Sequence, residues 1–569
     1  MKNPPYKPRT FVPTQIDLTE VTQLEPLFSK LKTELQAVKS VADLEKWLQN
    51  QSEVSAALDE ARSIKYIEMT CQTDDPAREK AYLKIIETVE PWLKPRQFEL
   101  LQILVQGPWL KQLPAEYDVF TRSVETRVKL YREENVARET EEAKLCQKYQ
   151  KMIGAMTVTF DGKEQTLPQM ARYLEESDRN RRQEAWEAIS RRRLQDRDAL
   201  DAIYETLLGL RQQIAKAADY SDYRAYTFAN YERFDYTPED CVKFHTAVEK
   251  HLVPLARALQ EVRKGKLKVD KLRPWDLSVD PDQRPPLRPF AKAEELVAKS
   301  DKIFQKLDSR LAGFFALLRV NELVDLENRK GKAPGGYQST LSEARLPFIF
   351  MNAVGMQRDV ETLVHEAGHA FHAVAARDQK IHAYRSSPIE FAEVASMSME
   401  LMTAPYWDEF YPATDAKRAR HDHLEGIIKL FPWIATVDAF QHWIYTHPGH
   451  TRKEREACWV DVMKRFGGIE DWTGYEDARA SLWHRQLHIF EMPFYYIEYG
   501  IAQLGALQLW KQSRKDPKKA IDSYLKGLSL GGSKPLPELF TASGISFDFS
   551  DEIIGPLTAE VRTALAAEV

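Results

Sequence analysis

The sequence contains few cysteines and no uninterrupted apolar run long enough to span a bilayer. Its four cysteines are scattered and include no CxxC pair: they are Cys71, Cys146, Cys241 and Cys458. This usage favours reduced thiols over a disulfide framework. The first residues also lack the apolar segment of a signal peptide, so we expect a cytoplasmic protein that has no membrane partner.

An excess of charge of either sign is also missing. The 569 residues carry a formal net charge of -5 and the pI is near 6.3, so no surface for nucleic acid is predicted. Hydrophobic residues make up 43% and charged residues 29% of the chain, and the mean hydropathy is -0.49. These values are typical of ordered globular proteins. They give no indication of the oligomeric state.

What the sequence does contain is a helical pattern of apolar residues along most of its length. We divide the chain into an N-terminal helical region at 1–150, rich in Leu, Glu, Lys, Gln and Ala, and a second region at 151–569. An Asp-Gly turn predicts a short β-hairpin near residues 158–167. Two further strands are predicted at 335–340 and 347–351, just before the motif described next.

The most informative motif is HEAGH at 365–369. Apolar residues around it recur at helical spacing and predict a helix over about 359–376. Residues four apart share one face of a helix, so His365 and His369 can bind one metal ion together. Glu366 projects beside them, close enough to act on a water held by that metal. The alternative is an amphipathic helix whose polar residues are only solvated.

A catalytic zinc site normally has three protein ligands and one open position, so a third ligand is expected. The segment 389–404 predicts a second helix that starts after Pro388 and offers Glu393 as a candidate. Glu390 and Glu400 lie on roughly the same helix face. Carboxylates on an apolar helix are costly to bury unless they bind a cation or hydrogen-bond a ligand histidine. The alternative is that all three glutamates face solvent.

A further segment, 484–503, is rich in hydrogen-bond donors. Peptide hydrolysis passes through an oxyanion that preorganised donors stabilise. His488, Tyr495, Tyr496 and Tyr499 carry suitable N–H and O–H groups, and in a helix the first and last of these tyrosines share one face. The alternative is that the tyrosines are aromatic core. Other histidines are predicted to be surface or packing residues: His421, His423, His442, His447 and His450.

Several longer blocks occur in a fixed order. They are VTFDGKEQTL at 158–167, PGGYQSTL with PFIFMN at 334–352, HEAGHAFH at 365–372, FAEVASMSME at 391–400, HIFEMPFYYIEYGIAQLGA at 488–506 and YLKGLSLGGSKPLPELF at 524–540. Together they cover most of the chain beyond residue 150. They resemble the thimet oligopeptidase family of zinc peptidases, and specifically its oligoendopeptidase F branch. One departure is Ala367, where many relatives carry Phe, and it affects packing rather than chemistry.

The resemblance implies a mainly helical, bowl-like or clam-like molecule with a deep channel and a small β-sheet next to the zinc helix. It implies that His365, His369 and Glu393 bind one Zn²⁺ per chain. It also implies that Glu366 is the general base and that Glu400 supports a ligand histidine.

In the tyrosine segment, the resemblance implies that a histidine and tyrosines contact the substrate carbonyl. His488, Tyr496 and Tyr499 are the best matches, and Tyr495 is a further candidate. The resulting prediction is a zinc-dependent endopeptidase that cuts short, unstructured peptides. Two alternatives remain: a dipeptidyl- or carboxypeptidase with the same metal site, and a non-catalytic helical protein that binds peptides.

Overall fold

The computed structural model describes residues 3–333 and 335–568, and helices dominate this part of the chain. Pro334, the first residue of the PGGYQSTL block, lies outside the described residues. The helices before residue 155 are α1 (Val21–Gln36), α2 (Val41–Cys71), α3 (Pro76–Lys84), α4 (Glu90–Gln106), α5 (Asp118–Leu130) and α6 (Glu133–Gly154).

A two-stranded hairpin and a second run of helices follow. Strands β1 (Thr157–Phe160) and β2 (Lys163–Thr166) pair antiparallel. Asp161 and Gly162 between them have φ angles of 55° and 70°, as an Asp-Gly hairpin turn requires. The helices that follow are α7 (Leu167–Met170), α8 (Arg179–Gln195), α9 (Arg197–Ala217), α10 (Tyr223–Asn230), α11 (Pro238–Leu267), α12 (Ala293–Leu307) and α13 (Ser309–Val320).

A three-stranded sheet precedes the HEAGH motif. Its strands are β3 (Val324–Glu327), β4 (Tyr337–Leu341) and β5 (Leu346–Ala353), in the order β3-β5-β4. The middle strand pairs parallel with β3 and antiparallel with β4. Strands β4 and β5 were predicted from the sequence, whereas β3 was not. Because β4 is at the edge of the sheet, one side of its backbone is not paired with another strand in the described part of the chain.

The remaining helices carry the candidate site residues. They are α14 (Gln357–Ala376), α15 (Ile389–Thr403), α16 (Ala413–Thr446), α17 (Arg452–Phe466), α18 (Glu476–Ala480), α19 (Leu487–Glu491), α20 (Ile497–Ser513), α21 (Pro517–Leu528), α22 (Leu536–Ala542) and α23 (Asp551–Ala567). The predicted fold class, a mainly helical protein with a small sheet next to the helix that carries HEAGH, is confirmed.

The buried apolar residues form two main cores. The smaller core takes side chains from α1, α2, α4 and α5, together with Ile381 and Tyr384 from the loop after α14. The larger core contains most other buried side chains, including Tyr149 of α6. The division of the chain at residue 150 stays a prediction. No helix in the described part of the chain combines the length and hydropathy that crossing a bilayer requires.

Two glycines allow α15 to lie very close to its neighbours. A Cβ atom on Gly368 of α14 would be 2.5 Å from the carbonyl oxygen of Ala395 and from the Cα of Ser396. On the other side, a Cβ atom on Gly505 of α20 would be 2.7 Å from a methyl group of Val394. Real Cβ atoms do not approach backbone atoms so closely, so Gly368 is what permits this distance between α14 and α15. This contact determines where the carboxylates of α15 lie.

Candidate active site

Helix α14 presents the two histidines of the motif on its partly exposed face. Val360, Leu363 and Val364 are fully buried, so the apolar stripe of the helix lies in the core. The side chains of His365 and His369 keep 25% and 19% of their surface exposed. Their rings have centroids 5.0 Å apart. The histidines therefore face a common space, as residues four apart on a helix must.

Helix α15 brings Glu393 to the same space. Its Oε2 atom is 3.4 Å from Nε2 of His365 and 3.7 Å from Nε2 of His369. The hydroxyl of Ser396 donates to this oxygen at 2.8 Å and orients the carboxylate. One ligand atom from each of the three residues lies within 4.8 Å of the others. Two imidazole nitrogens and one carboxylate oxygen are the donor set of many catalytic zinc sites, so these residues fit Zn²⁺.

Glu400 holds the first histidine in place from behind. Its Oε1 atom is 2.6 Å from Nδ1 of His365, and its Oε2 atom is 2.9 Å from Nε2 of His423. Burial alone would raise the pKa of Glu400, but the hydrogen bonds with the two histidines outweigh it and lower the pKa to about 2. Because Nδ1 of His365 is occupied, Nε2 is the nitrogen left for a metal. The prediction that His423 is an ordinary packing residue is therefore wrong.

The protonation of His365 depends on the same carboxylate. Burial disfavours the imidazolium, but the hydrogen bond and charge of Glu400 overcome this effect and raise the pKa of His365 to about 9. A metal that binds through Nε2 must therefore displace a proton.

Glu366 has the environment of a general base. It is 7% exposed, and burial raises its pKa to about 7. The charge of Glu393 acts in the same direction, whereas His365 and the backbone N–H of Gln338 favour the carboxylate. Since Gln338 lies on β4, this carboxylate is placed at the edge of the sheet. A pKa near neutrality is what proton transfer at physiological pH requires.

Glu390 bonds to different residues from the other two carboxylates of α15. The hydroxyl of Tyr236 donates to it at 2.8 Å, and Nε of Arg233 is 4.0 Å away. The three glutamates therefore do not share one set of partners. Only Glu393 and Glu400 contact the histidines of α14.

The tyrosine segment is not a single helix, so Tyr495 and Tyr499 do not lie on one helix, but their ring centroids are 5.5 Å apart, as a shared face would place them. Helix α19 ends at Glu491 and α20 begins at Ile497, with Pro493 in the connecting turn. Pro493 has no N–H to donate, so it favours a break in the helix at this point.

The turn is held in an unusual conformation by residues from distant parts of the chain. Phe494 has a φ angle of 66°, which is rare for a bulky side chain. Its N–H donates to Oε1 of Gln441 at 3.2 Å, and its carbonyl accepts from Nη2 of Arg233 at 2.6 Å. The same guanidinium nitrogen is 2.6 Å from Oε1 of Glu498. These buried bonds fix the direction in which Tyr495 leaves the turn.

The turn nevertheless gathers the predicted donors. The ring centroid of His488 is 5.8 Å from that of Tyr495, 4.9 Å from that of Tyr496 and 5.9 Å from that of Tyr499. Burial and the negative charge of Glu393 together raise the pKa of Tyr499 to about 12. Burial and neighbouring groups that include Glu393 also raise the pKa of Tyr495. The phenols of Tyr495 and Tyr499 therefore lie within electrostatic reach of the candidate metal ligand.

Tyr496 faces a different environment. Burial raises the pKa of Tyr496, and the side chains of Trp433, Arg485 and Gln486 oppose the rise. None of these three residues was singled out in the sequence.

A second group of side chains with metal-ligand chemistry lies in the core, on α11 and α16. Ligand atoms of Cys241, Asp438 and His442 lie within 4.8 Å of one another. However, Nε2 of His245 is 2.7 Å from Asp438, and a guanidinium nitrogen of Arg224 is 3.4 Å from Nδ1 of His442. A guanidinium can only donate, so Nδ1 accepts and Nε2 of His442 carries the proton. Arg224 and His245 therefore join His442 and Asp438 in a hydrogen-bonded network, to which we assign no metal. Nε2 of His442 and Oδ1 of Asp438 make no hydrogen bond among the described residues.

The chain matches the model of peptidase family M3 over residues 172–557, and that of the M3 N-terminal domain over residues 11–131. The chain belongs to peptidase family M3. The resemblance to its oligoendopeptidase F branch is confirmed by the relatives that follow.

Among solved structures, the chain is similar to PZ peptidase A with an inhibitor, at 29% identity and a TM-score of 0.88, covering 98% of this chain and 99% of that one. Among curated proteins, it is 24% identical to oligopeptidase PepF of Bacillus subtilis (strain 168), over 67% of this chain and 56% of that one. It is 25% identical to an oligoendopeptidase F homolog of Borreliella burgdorferi, over 42% of each chain. The chain spans about half the length of these curated relatives.

Proposed function

We propose that this protein is a zinc-dependent endopeptidase that hydrolyses internal bonds of short, unstructured peptides. The observation that carries the proposal is the convergence of His365, His369 and Glu393 beside a buried carboxylate, Glu366, whose pKa is raised to about 7. A site of this composition supports hydrolysis better than binding alone, because it combines metal ligands with a proton acceptor.

The metal is assigned from the donor set. Two imidazoles and one carboxylate leave a fourth position for water, and Zn²⁺ in such a site polarises water and a peptide carbonyl. Glu400 orients His365 for this role through the hydrogen bond at Nδ1. We assign one Zn²⁺ per chain to this site.

The protein side chains would then move the protons and stabilise charge. Glu366 takes a proton from the attacking water and passes it to the leaving amine. His488, Tyr495, Tyr496 and Tyr499 are the candidates to donate hydrogen bonds to the oxyanion. The influence of Glu393 on the pKa values of Tyr495 and Tyr499 favours these two phenols over Tyr496.

The position of β4 supports a peptide as the substrate. Ile349, the partner of Gln338 on β5, directs its N–H to Leu323. The N–H of Gln338 therefore faces away from β5, at the outer edge of β4, where it favours the carboxylate form of Glu366. An extended peptide can pair with such an edge through its backbone, regardless of its side chains. The bound peptide would then pass next to Glu366. We also propose that the site lies in a channel that admits short peptides, and that the protein is cytoplasmic.

The proposal is tested by digesting a long unstructured peptide and identifying the products by mass spectrometry. An endopeptidase yields internal fragments from the first cuts, whereas a dipeptidyl- or carboxypeptidase shortens the peptide stepwise from one end. Activity should disappear with a chelator and return with Zn²⁺, and a folded protein that contains the same sequence should remain intact. No cleavage by the zinc-loaded protein would contradict the proposal and favour a peptide-binding function.

A further inference from the structure

Three side chains form a hydrogen-bonded row that ends at His488. The indole Nε1 of Trp433, on α16, donates to Oε1 of Gln486 at 3.1 Å. The Nε2 atom of Gln486 is 2.8 Å from Nδ1 of His488. Gln486 and His488 are two residues apart, whereas Trp433 comes from a distant part of the chain.

The chemistry of these groups decides which atoms carry protons. An indole N–H can only donate, so the amide atom that faces Trp433 must be the oxygen. This assignment turns the amide NH₂ group toward His488. Because the NH₂ group can also only donate, Nδ1 of His488 must accept. A neutral imidazole that accepts at Nδ1 carries its proton on Nε2.

We infer that Gln486 and Trp433 are positioning residues that hold His488 as the neutral tautomer with its proton on Nε2. In this tautomer His488 presents an N–H donor, as stabilisation of an oxyanion requires. The other neutral tautomer would present a bare nitrogen and repel the oxyanion. The inference rests on the proposed function, since it explains how His488 becomes a donor in that reaction.

Two further observations agree with this role. Burial lowers the pKa of His488, which favours the neutral ring whose tautomer has to be chosen. The ring of Tyr496 packs against His488 with centroids 4.9 Å apart, and Trp433 and Gln486 both lower the pKa of its hydroxyl, so it belongs with the row of positioning side chains.

The test uses Gln486→Met, which keeps the length of the side chain but cannot donate. The two tautomers of His488 then become mixed. We expect kcat to fall by at least about 10-fold, up to the ~10²–10³-fold typical of a lost oxyanion donor, with unchanged KM and zinc content. Trp433→Phe, which frees the amide to rotate, should give a smaller loss. The matched control is Gln150→Met, which removes a similar hydrogen bond to Glu491 on α19 and should leave kcat unchanged.

A double-mutant cycle separates positioning from general packing. If Gln486 acts only through His488, then Gln486→Met has no further effect on kcat in a His488→Ala background. The signals of His488 in ¹⁵N-histidine spectra are those that disappear in His488→Ala. In the zinc-loaded wild type, these signals should show a protonated Nε2 and an unprotonated Nδ1. In Gln486→Met, both nitrogens should show partial protonation.

Three results would overturn the inference itself, and a fourth would overturn the proposed role of His488 on which it rests. The first is a wild-type His488 that is protonated on Nδ1. The second is a normal kcat for Gln486→Met when the separate variant His488→Ala is slow. That result would leave the proposed function intact. The third is a Gln486→Met loss that persists in the His488→Ala background, because it would reflect packing. Normal turnover by His488→Ala would instead overturn the oxyanion role of His488, and with it the inference.

Discussion

The metal-ligand helices and the tyrosine segment place functional side chains near one another by different physical means. On α14, one helical repeat fixes the relation of His365, Glu366 and His369. In the tyrosine segment the helix is interrupted at Pro493, and Phe494 has a φ angle of 66°. Regular secondary structure therefore positions the first group, whereas side chains from distant elements position the second.

This difference has consequences for how each group responds to mutation. The spacing of His365 and His369 is local, so it depends mainly on whether α14 forms. The direction of Tyr495 depends on Arg233 and Gln441, which bind the backbone of the preceding residue. Substitutions far from the metal should therefore impair the tyrosine segment more readily than the metal site.

The largest effect is expected for the base on the regular helix. Glu366→Gln keeps the shape of the side chain but cannot accept the proton of water. We expect turnover to fall by ~10²–10⁴-fold while zinc content is unchanged. Steady-state kinetics and metal analysis check both parts. A variant within a few-fold of the wild type would remove Glu366 from the mechanism.

The next effect sharpens the comparison by ranking the three phenols. Tyr499→Phe should lower kcat by ~10²–10³-fold with little change in KM or zinc content, because a donor of this kind acts in the transition state. Tyr495→Phe should give a similar loss, and Tyr496→Phe a smaller one, because its hydroxyl faces Trp433 and Gln486. If all three variants and His488→Ala turn over normally, the segment is packing and the oxyanion site lies elsewhere.

A smaller effect is expected from the residue behind the metal site. Glu400→Ala removes the hydrogen bond to Nδ1 of His365, so zinc affinity should fall by roughly 10–100-fold. Competition with a chromophoric chelator measures it. Glu390→Gln is the control, because the partners of Glu390 are Tyr236 and Arg233 and not the histidines. The zinc affinity of this variant should equal that of the wild type. The reverse order of effects would show that the register of α15 is different.

The smallest effect tests the contact between the two helices. Gly368→Ala places a methyl group against the backbone of α15, which should reduce stability by ~1–3 kcal/mol and weaken zinc binding. The matched control is Gly426→Ala on α16, where a Cβ atom meets nothing within 4 Å. There the change should raise stability by roughly 0.5–1 kcal/mol. Equal thermal stability of the two variants would argue against a close approach at Gly368.

The sequence predicted the residues whose relations are local. His365, Glu366 and His369 follow from helical periodicity; a second helix offered three glutamates, of which the family resemblance assigned Glu393 to the metal and Glu400 to a ligand histidine. Gly368 was available as a signal, because a glycine inside a helix costs about 1 kcal/mol and needs a reason such as close packing.

The residues that could not be predicted act through contacts between distant elements. His423 reaches Glu400 from α16, Arg233 reaches the carbonyl of Phe494, and Trp433 reaches Gln486. No periodicity relates these positions in the sequence. From the sequence alone, His423 is predicted to be an ordinary helical residue. Its bond to Glu400 is evident only once α15 and α16 are packed side by side.

The most direct test of the account is the zinc content of purified protein after dialysis. We expect one zinc per chain in the wild type, in Glu366→Gln and in Glu390→Gln, and none in Glu393→Ala. We also expect that His442→Ala retains its zinc, because that residue belongs to the hydrogen-bonded network. Zinc retained by Glu393→Ala, or lost from His442→Ala, would contradict the assignment of the metal to His365, His369 and Glu393.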